Sequence, residues 1–350
     1  MKLISKYRPQ IMGFMAILIY IYHEWQPLHP EGSFGYNAEV FYIRTCIWIL
    51  DIFLMVSGMG LVYAIEKYPL WKFYIRRFER ILIPAFIAVA ARGFLNGYGI
   101  KSTIKTFLGY DFLFVNVTTC LWYFYAIAAL YILFPLYWAY LKRFKSKTVG
   151  TVIFVVFYVL LLILCEPFIR SDMYGVLNRV PLFVEGVLIG YLIKEGKAPE
   201  YGREHIPMFI GFFLLGLYFS WQTNFLYTSL ILPVSNCFIP CILMANGALP
   251  LMAMFFGWLD NRKSSAGQKI SAVILKVLAF FGSISFEFYC MQEIYDNIHR
   301  TRGWYTADGS LRYWGIYALN LLAAIAISWL ISRGQGKLFD AIGRIGKKRA

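Results

Sequence analysis

The chain has 350 residues, 59% of them hydrophobic and 15% charged, with a formal net charge of +15. Soluble globular chains run at about 45–50% apolar and about 25% charged, so the composition excludes an ordinary soluble domain and points to a lipid-embedded protein. In a soluble chain the positive balance would suggest a nucleic-acid partner; here no nucleic-acid motif accompanies it, and it fits the Lys and Arg that collect in cytoplasmic loops of membrane proteins.

In chain order, the N-terminal stretch "MKLISKYRPQIMGFMAILIYIYHEW" has a basic start and an apolar run but no small-x-small cleavage site. It reads as a retained first transmembrane helix rather than a signal peptide. Apolar runs bounded by charge or Pro/Gly clusters give about ten candidate spans, near 9–26, 42–64, 80–97, 119–141, 149–167, 177–193, 207–222, 229–258, 271–293 and 313–332. Each approaches the roughly 20 residues that a helix needs to cross the hydrocarbon. The eighth is long for one straight helix and holds Pro233, Pro240 and Pro250. It reads either as one kinked crossing with a re-entrant piece or as two crossings.

Loop charge supports this layout. With the N-terminus in the cytoplasm and alternating spans, 25 of the 34 Lys and Arg fall on the inside, the bias that the positive-inside rule expects. The same bias favours an odd number of crossings for 229–258, because an even number would put Arg262 and Lys263 outside. The expected fold is all-α: a polytopic membrane helix bundle with both termini cytoplasmic. It forms a single membrane-embedded domain over residues 1–350, with a core at about 9–332 and a basic cytoplasmic tail at 333–350. The six cysteines, at 46, 120, 165, 237, 241 and 290, lie in apolar runs and make no disulfide framework. Cys237 and Cys241 are one helical turn apart, but no third or fourth ligand is near, so no metal site is expected.

Ionisable residues inside spans are costly and tend to mark function. His23 and Glu24 end the first span, Asp51 lies in the second, Arg179 and Glu185 open the sixth, and Glu287 and Glu293 lie in the ninth. Each also has a plainer reading: Asp51 as a buried hydrogen-bond anchor, Arg179 as a snorkelling interface residue, Glu293 as a wet helix end. A lone helix-end histidine is more often structural than catalytic, yet an imidazole is the side chain suited to accept and return a proton at neutral pH. Arg77 and Arg80 share a helix face where the third span begins. They anchor the positive-inside end, and their planar donor forks also suit a phosphorylated cytoplasmic ligand.

These pieces, in this order, resemble the acyltransferase family 3 of integral-membrane acyltransferases. The family's histidine late in helix one is matched by "ILIYIYHEW" at His23. Its V-D-L-F-F-V-L-S-G pattern is matched by "ILDIFLMVSGM" at Asp51, Phe53, Ser57 and Gly58, and its R-x-x-R before I-x-P by "RRFERILIP" at Arg77, Arg80 and Pro84. The helix "LWYFYAIAALYILFPLY" matches at Trp122, Tyr131 and Pro135, with Tyr123 beside Trp122. "NRVPLFVEGVLIGY" and "FFGSISFEFYCMQ" resemble the family's R-x-P-x-F-x-x-G and G-x-x-S-x-x-x-Y elements. The likeness covers roughly residues 10–332. Three places depart from it. Met12 stands where a basic residue often precedes the histidine, Gln292 stands where many members have histidine, and "LWYFYAIAA" lacks the carboxylate of a W-S-L-S-V-E element.

The resemblance implies acyl transfer, usually of acetyl, from cytoplasmic acyl-coenzyme A to a hydroxyl of an envelope glycan or related acceptor. It implies an integral, multi-pass plasma-membrane protein of a bacterium. It makes His23 the catalytic residue, read as the base with an acetylated-histidine intermediate as the alternative, and gives Arg77 and Arg80 to the acyl donor. Asp51, or a hydroxyl from a facing helix, would orient His23, since adjacent helical residues such as Glu24 point about 100° away. Ser57, Trp122, Tyr123, Arg179, Glu287 and Glu24 are substrate-binding or structural polar candidates. No permanently bound cofactor is expected: acetyl-CoA is a co-substrate, the bilayer a partner, and a homo-oligomer is left open. Fifteen residues separate Arg8 from His23, about 22 Å of helix, so the pantetheine arm would lie lengthwise between the arginines and the histidine. The competing classes are a transporter of polysaccharide or lipid-linked glycan, suited by broken helices and intramembrane charge, and a membrane sensor or anchor subunit.

Overall fold

The structure is a computed structural model that describes residues 1–23, 28–46, 48–116, 121–224, 235–262, 264–302 and 310–348; the side chains of 235–237, 265, 296–302, 338 and 340–348 lie outside the description. Among the described residues the regular elements are helical, with no strand. The N-terminal half holds α1 (Lys2–Lys6), α2 (Arg8–His23), α3 (Phe34–Thr45), α4 (Trp48–Lys67), α5 (Leu70–Leu95), α6 (Ile100–Phe107), α7 (Tyr110–Phe114) and α8 (Trp122–Lys142). The rest holds α9 (Lys147–Leu164), α10 (Tyr174–Leu177), α11 (Val180–Lys194), α12 (Ile206–Gln222), α13 (Ser235–Asp260), α14 (Ser265–Ser283), α15 (Ser285–Arg302) and α16 (Leu311–Lys348).

Among the described residues seven stretches are long and apolar enough to cross a membrane: Phe34–Lys67, Trp122–Lys142, Lys147–Leu164, Ser171–Lys194, Phe238–Asp260, Ala266–Ser283 and Leu311–Lys337. The expected spans at 9–26, 80–97 and 207–222 fall on α2, α5 and α12. α2 and α12 are short, at 16 and 17 residues, and α5 mixes Lys72, Arg76, Arg77, Glu79, Arg80 and Arg92 into its apolar residues. Membrane solvation also reverses the usual exposure pattern. α9 and α14 show Val152, Phe157, Leu160, Ile270 and Val273 on their outer faces, each more than half exposed, values a soluble core helix would not tolerate.

Two expected spans differ in detail. Within its described part the 229–258 region is the single helix α13, with Pro240 and Pro250 inside it; Pro233 lies outside the described residues. The ninth span, expected as one helix over 271–293, is broken at Ile284 between α14 and α15. Gly282 and the flanking serines are weak helix formers, and the break starts a new helix whose first-turn N–H groups lack intrahelical partners. The tail from Arg333 continues α16 as helix to Lys348.

The chain groups into two compact units. The first comprises Met1–Leu18, Tyr42–Phe73 and Ala129–Ser283. Its centre is α4, buried almost all round, packed on α11 and α13. α4 and α11 run parallel. A Cβ at Gly186 would collide with the Met55 carbonyl, one at Gly190 with the Met59 carbonyl, and one at Gly58 with the Phe183 carbonyl. Small residues at four-residue spacing let two backbones approach this closely, which is how helices gain van der Waals contact in lipid. An ion pair lies beyond each end of this seam: Asp51 with Arg179, and Glu66 with Lys194. The same device joins α2 to α14, where Gly13 abuts the Leu278 carbonyl and Gly282 the Pro9 carbonyl.

The second unit comprises Ile19–Phe41, Tyr74–Ala128 and Ile284–Ala350. It contains the end of α2, most of α5, the paired short helices α6 and α7, the start of α8, and α15 packed on α16. Aromatic residues set its interior. Tyr20 stacks on Phe288 at 5.3 Å and meets Tyr317 edge-on at 5.6 Å, fixing the last turn of α2.

Candidate functional site

The last residue of α2 is His23. Its Nδ1 lies 3.1 Å from Oε1 of Gln292 on α15. The Tyr20–Phe288 stack lies one turn earlier, three residues back on α2 and four back on α15, so the two helices run side by side here. Gln292 is fully buried, and its Nε2 has no hydrogen-bond partner among the described residues. With an amide oxygen facing Nδ1, that nitrogen carries the proton and Nε2 of His23 carries the lone pair, a tautomer assigned from the hydrogen-bond partner. Sequence reasoning expected Asp51 or a hydroxyl to orient His23; the atom found against Nδ1 is the Gln292 amide oxygen. The signal was present, since Gln292 stands where many family members have histidine.

An aromatic chain leads away from His23. Tyr289, one turn before Gln292, lies 6.2 Å from the imidazole, Tyr123 meets Tyr289 edge-on at 5.7 Å, and Trp122 meets Tyr123 edge-on at 6.2 Å. Two of the sequence candidates, Trp122 and Tyr123, are thus tied to the histidine through a residue that composition alone would not single out. Leu121, just ahead of them, is fully buried with φ of 60°. A leucine in the left-handed region is held there at a cost, and the turn it makes sets the direction in which α8 departs.

α15 carries a second polar contact. Glu287 lies in its first turn, 3% exposed, and accepts a 2.5 Å hydrogen bond from Nε2 of Gln335 on α16. The helix break at Ile284 explains how an intramembrane carboxylate is accommodated: a first-turn position faces unpaired N–H groups and the positive end of the helix dipole. The charge nearest in effect is that of Arg80. Arg80 is exposed and Arg77 half-buried on α5. Glu287 and Gln292 are five residues apart, about 7.5 Å along the helix axis. One helix therefore carries both the carboxylate that feels the Arg80 charge and the amide that meets the histidine.

The remaining candidates lie elsewhere. In the first unit Asp51 and Arg179, 0% and 2% exposed, pair at 2.9 Å between Oδ1 and Nε. Arg179 therefore does not snorkel. It neutralises Asp51 where an unpaired charge would cost most, and the pair pins the start of α11 to α4. Glu185 accepts a 3.0 Å hydrogen bond from Nδ2 of Asn246. Ser57 and Tyr131 lie 3.5 Å apart, the outer limit for a hydrogen bond. Glu293 is half-buried on α15. Glu24 lies outside the described residues.

A search of curated proteins and a search of solved structures each found no match. A family model described as an acyltransferase domain matches residues 12–333, nearly the whole chain. The chain is a multi-pass membrane protein and an acyltransferase, a member of acyltransferase family 3.

Proposed function

We propose that the protein is an O-acyltransferase of the bacterial plasma membrane that moves an acyl group, acetyl in the first instance, from cytoplasmic acyl-CoA to a hydroxyl of an envelope glycan or related acceptor. The observation that carries this reading is the 3.1 Å contact between His23 Nδ1 and Gln292. It holds the imidazole in the tautomer whose Nε2 can react, either by taking the hydroxyl proton or by taking the acyl group itself. Transfer also needs the thioester to be placed. Arg77 and Arg80 are the groups for that task, their guanidinium forks matched to the phosphates of coenzyme A. Glu287, in reach of the Arg80 charge, orients the arginine end. Glu287 and Gln292 on the one helix α15 would then relate the arginine end to the histidine. Asp51 and Arg179 are assigned to holding α4 on α11, and Trp122 and Tyr123 to lining the approach to His23.

Label transfer from radioactive acetyl-CoA in membranes containing the chain tests the reading. His23→Ala, expressed at the normal level, is expected to lose transfer by about 10²-fold or more; normal transfer overturns the assignment. Arg77→Ala with Arg80→Ala is expected to weaken acetyl-CoA binding by about 10²-fold or more, two charge-assisted contacts being worth about 1.5–3 kcal/mol each. Undiminished binding removes the donor role from this pair.

A further inference from the structure

His29, six residues after His23, belongs to no motif and no part of the site above. Its Nδ1 lies 2.6 Å from Oε1 of Glu39 on α3, and the other oxygen of the same carboxylate accepts the Leu28 backbone N–H at 3.2 Å. The carboxylate is largely buried, its side chain 16% exposed, whereas the imidazole is 54% exposed. The ring lies over Gly35, where a Cβ would collide with it, so the first turn of α3 forms a seat that any larger residue would fill. The imidazole is therefore held at Nδ1 by a carboxylate and from below by backbone; in the neutral ring the carboxylate assigns the proton to Nδ1 and the lone pair to Nε2. An exposed ion pair adds at most about 1 kcal/mol of stability, which does not account for a glycine seat and a two-pronged carboxylate. The arrangement is that of an oriented base. Six residues of chain also keep His29 within about 21 Å of His23.

We infer that the His29–Glu39 dyad is the base that activates the acceptor hydroxyl, and that His23 is the group that first receives the acyl. The inference rests on the proposed acyl transfer and says how that transfer is divided. Its chemical reason is that an acylated Nε2 has no lone pair left to deprotonate the incoming nucleophile. In the first step His23 Nε2 attacks the thioester carbonyl, a C–N bond forms, the C–S bond breaks, and coenzyme A leaves as a thiolate that takes a proton from water. In the second step the acceptor oxygen bonds to the carbonyl carbon while its proton passes to His29 Nε2. The C–N bond breaks and its electron pair returns to His23. The Glu39 carboxylate stabilises the imidazolium formed on His29, which then releases its proton to water.

The test uses the full chain in membranes that contain its native envelope acceptor, with radiolabelled acetyl-CoA as the probe. Label bound to the chain is read separately from label in the glycan fraction. His29→Ala is expected to retain protein labelling at His23 and to lower glycan transfer by about 10²-fold, so that protein-bound label accumulates. Glu39→Gln keeps an acceptor oxygen for Nδ1 without the charge and is expected to lower transfer by about tenfold. Wild-type transfer in both variants overturns the dyad while leaving the acyltransferase reading intact. A folded His29→Ala protein that loses labelling and transfer together, or loses transfer without accumulating label, overturns the division of labour. Normal transfer by His23→Ala overturns the underlying reading instead.

Discussion

Replacing Gln292 by leucine separates activity from stability. The amide makes one contact that matters to the site, Oε1 to His23 Nδ1 at 3.1 Å, and its Nε2 has no hydrogen-bond partner among the described residues. Leucine has nearly the same volume and no polar atoms. In the variant the part-buried His23 Nδ1–H loses its acceptor, a penalty of at most about 1–3 kcal/mol. Felt in the barrier, that is about 5- to 150-fold in kcat. KM for acyl-CoA is expected to hold, because Gln292 is not among the donor contacts. Stability, by contrast, is expected to change little, since the cost of the donor left on His23 is offset by removal of a buried amide nitrogen that has no partner among the described residues. Thiol release from acetyl-CoA by purified protein gives kcat and KM, and thermal unfolding in detergent gives the stability. Gln292→Glu and Gln292→His each return an acceptor to Nδ1 and are expected to recover most of the rate. A Gln292→Leu protein with unchanged kcat would falsify the orienting role. Equal impairment of the leucine and glutamate variants would instead reduce Gln292 to packing.

The Asp51–Arg179 pair makes a stability prediction of the opposite kind. Asp51→Asn or Arg179→Met alone strands a buried charge and is expected to cost about 3–5 kcal/mol, while the double change to Leu and Met comes within about 1 kcal/mol of wild type or exceeds it; single variants that unfold with the wild type contradict this. Gly186→Leu is expected to lower stability by about 1–3 kcal/mol or more by forcing α11 off α4. Gly211→Leu on α12, where a Cβ meets nothing within 4 Å, is expected to be neutral, and similar melting temperatures for the two would argue against the glycine seam.

What could be read from the sequence follows what physics makes local. A bilayer demands a minimum apolar length, and that demand is met residue by residue, so α9 and α11 lie within three residues of the expected spans at 149–167 and 177–193. Composition also exposed the costly residues, because a charge in an apolar run is visible without any partner. Partner choice is not local. His23 and Gln292 are 269 positions apart, and nothing in either helix's periodicity selects the other. The pairing depends on how closely backbones approach, and that is decided by single glycines and by where a helix breaks. The break at Ile284 is the instructive case. Read as one apolar run, residues 271–293 put Glu287 in mid-span with no evident way to hold its charge. With the break, the same carboxylate sits in a first helical turn beside Gln335 and within reach of the Arg80 charge. The chain thus tolerates an intramembrane acid by starting a helix beneath it, and that new helix then carries Tyr289 and Gln292 to His23. The local defect that hid the site from a hydropathy reading is the same feature that assembles it.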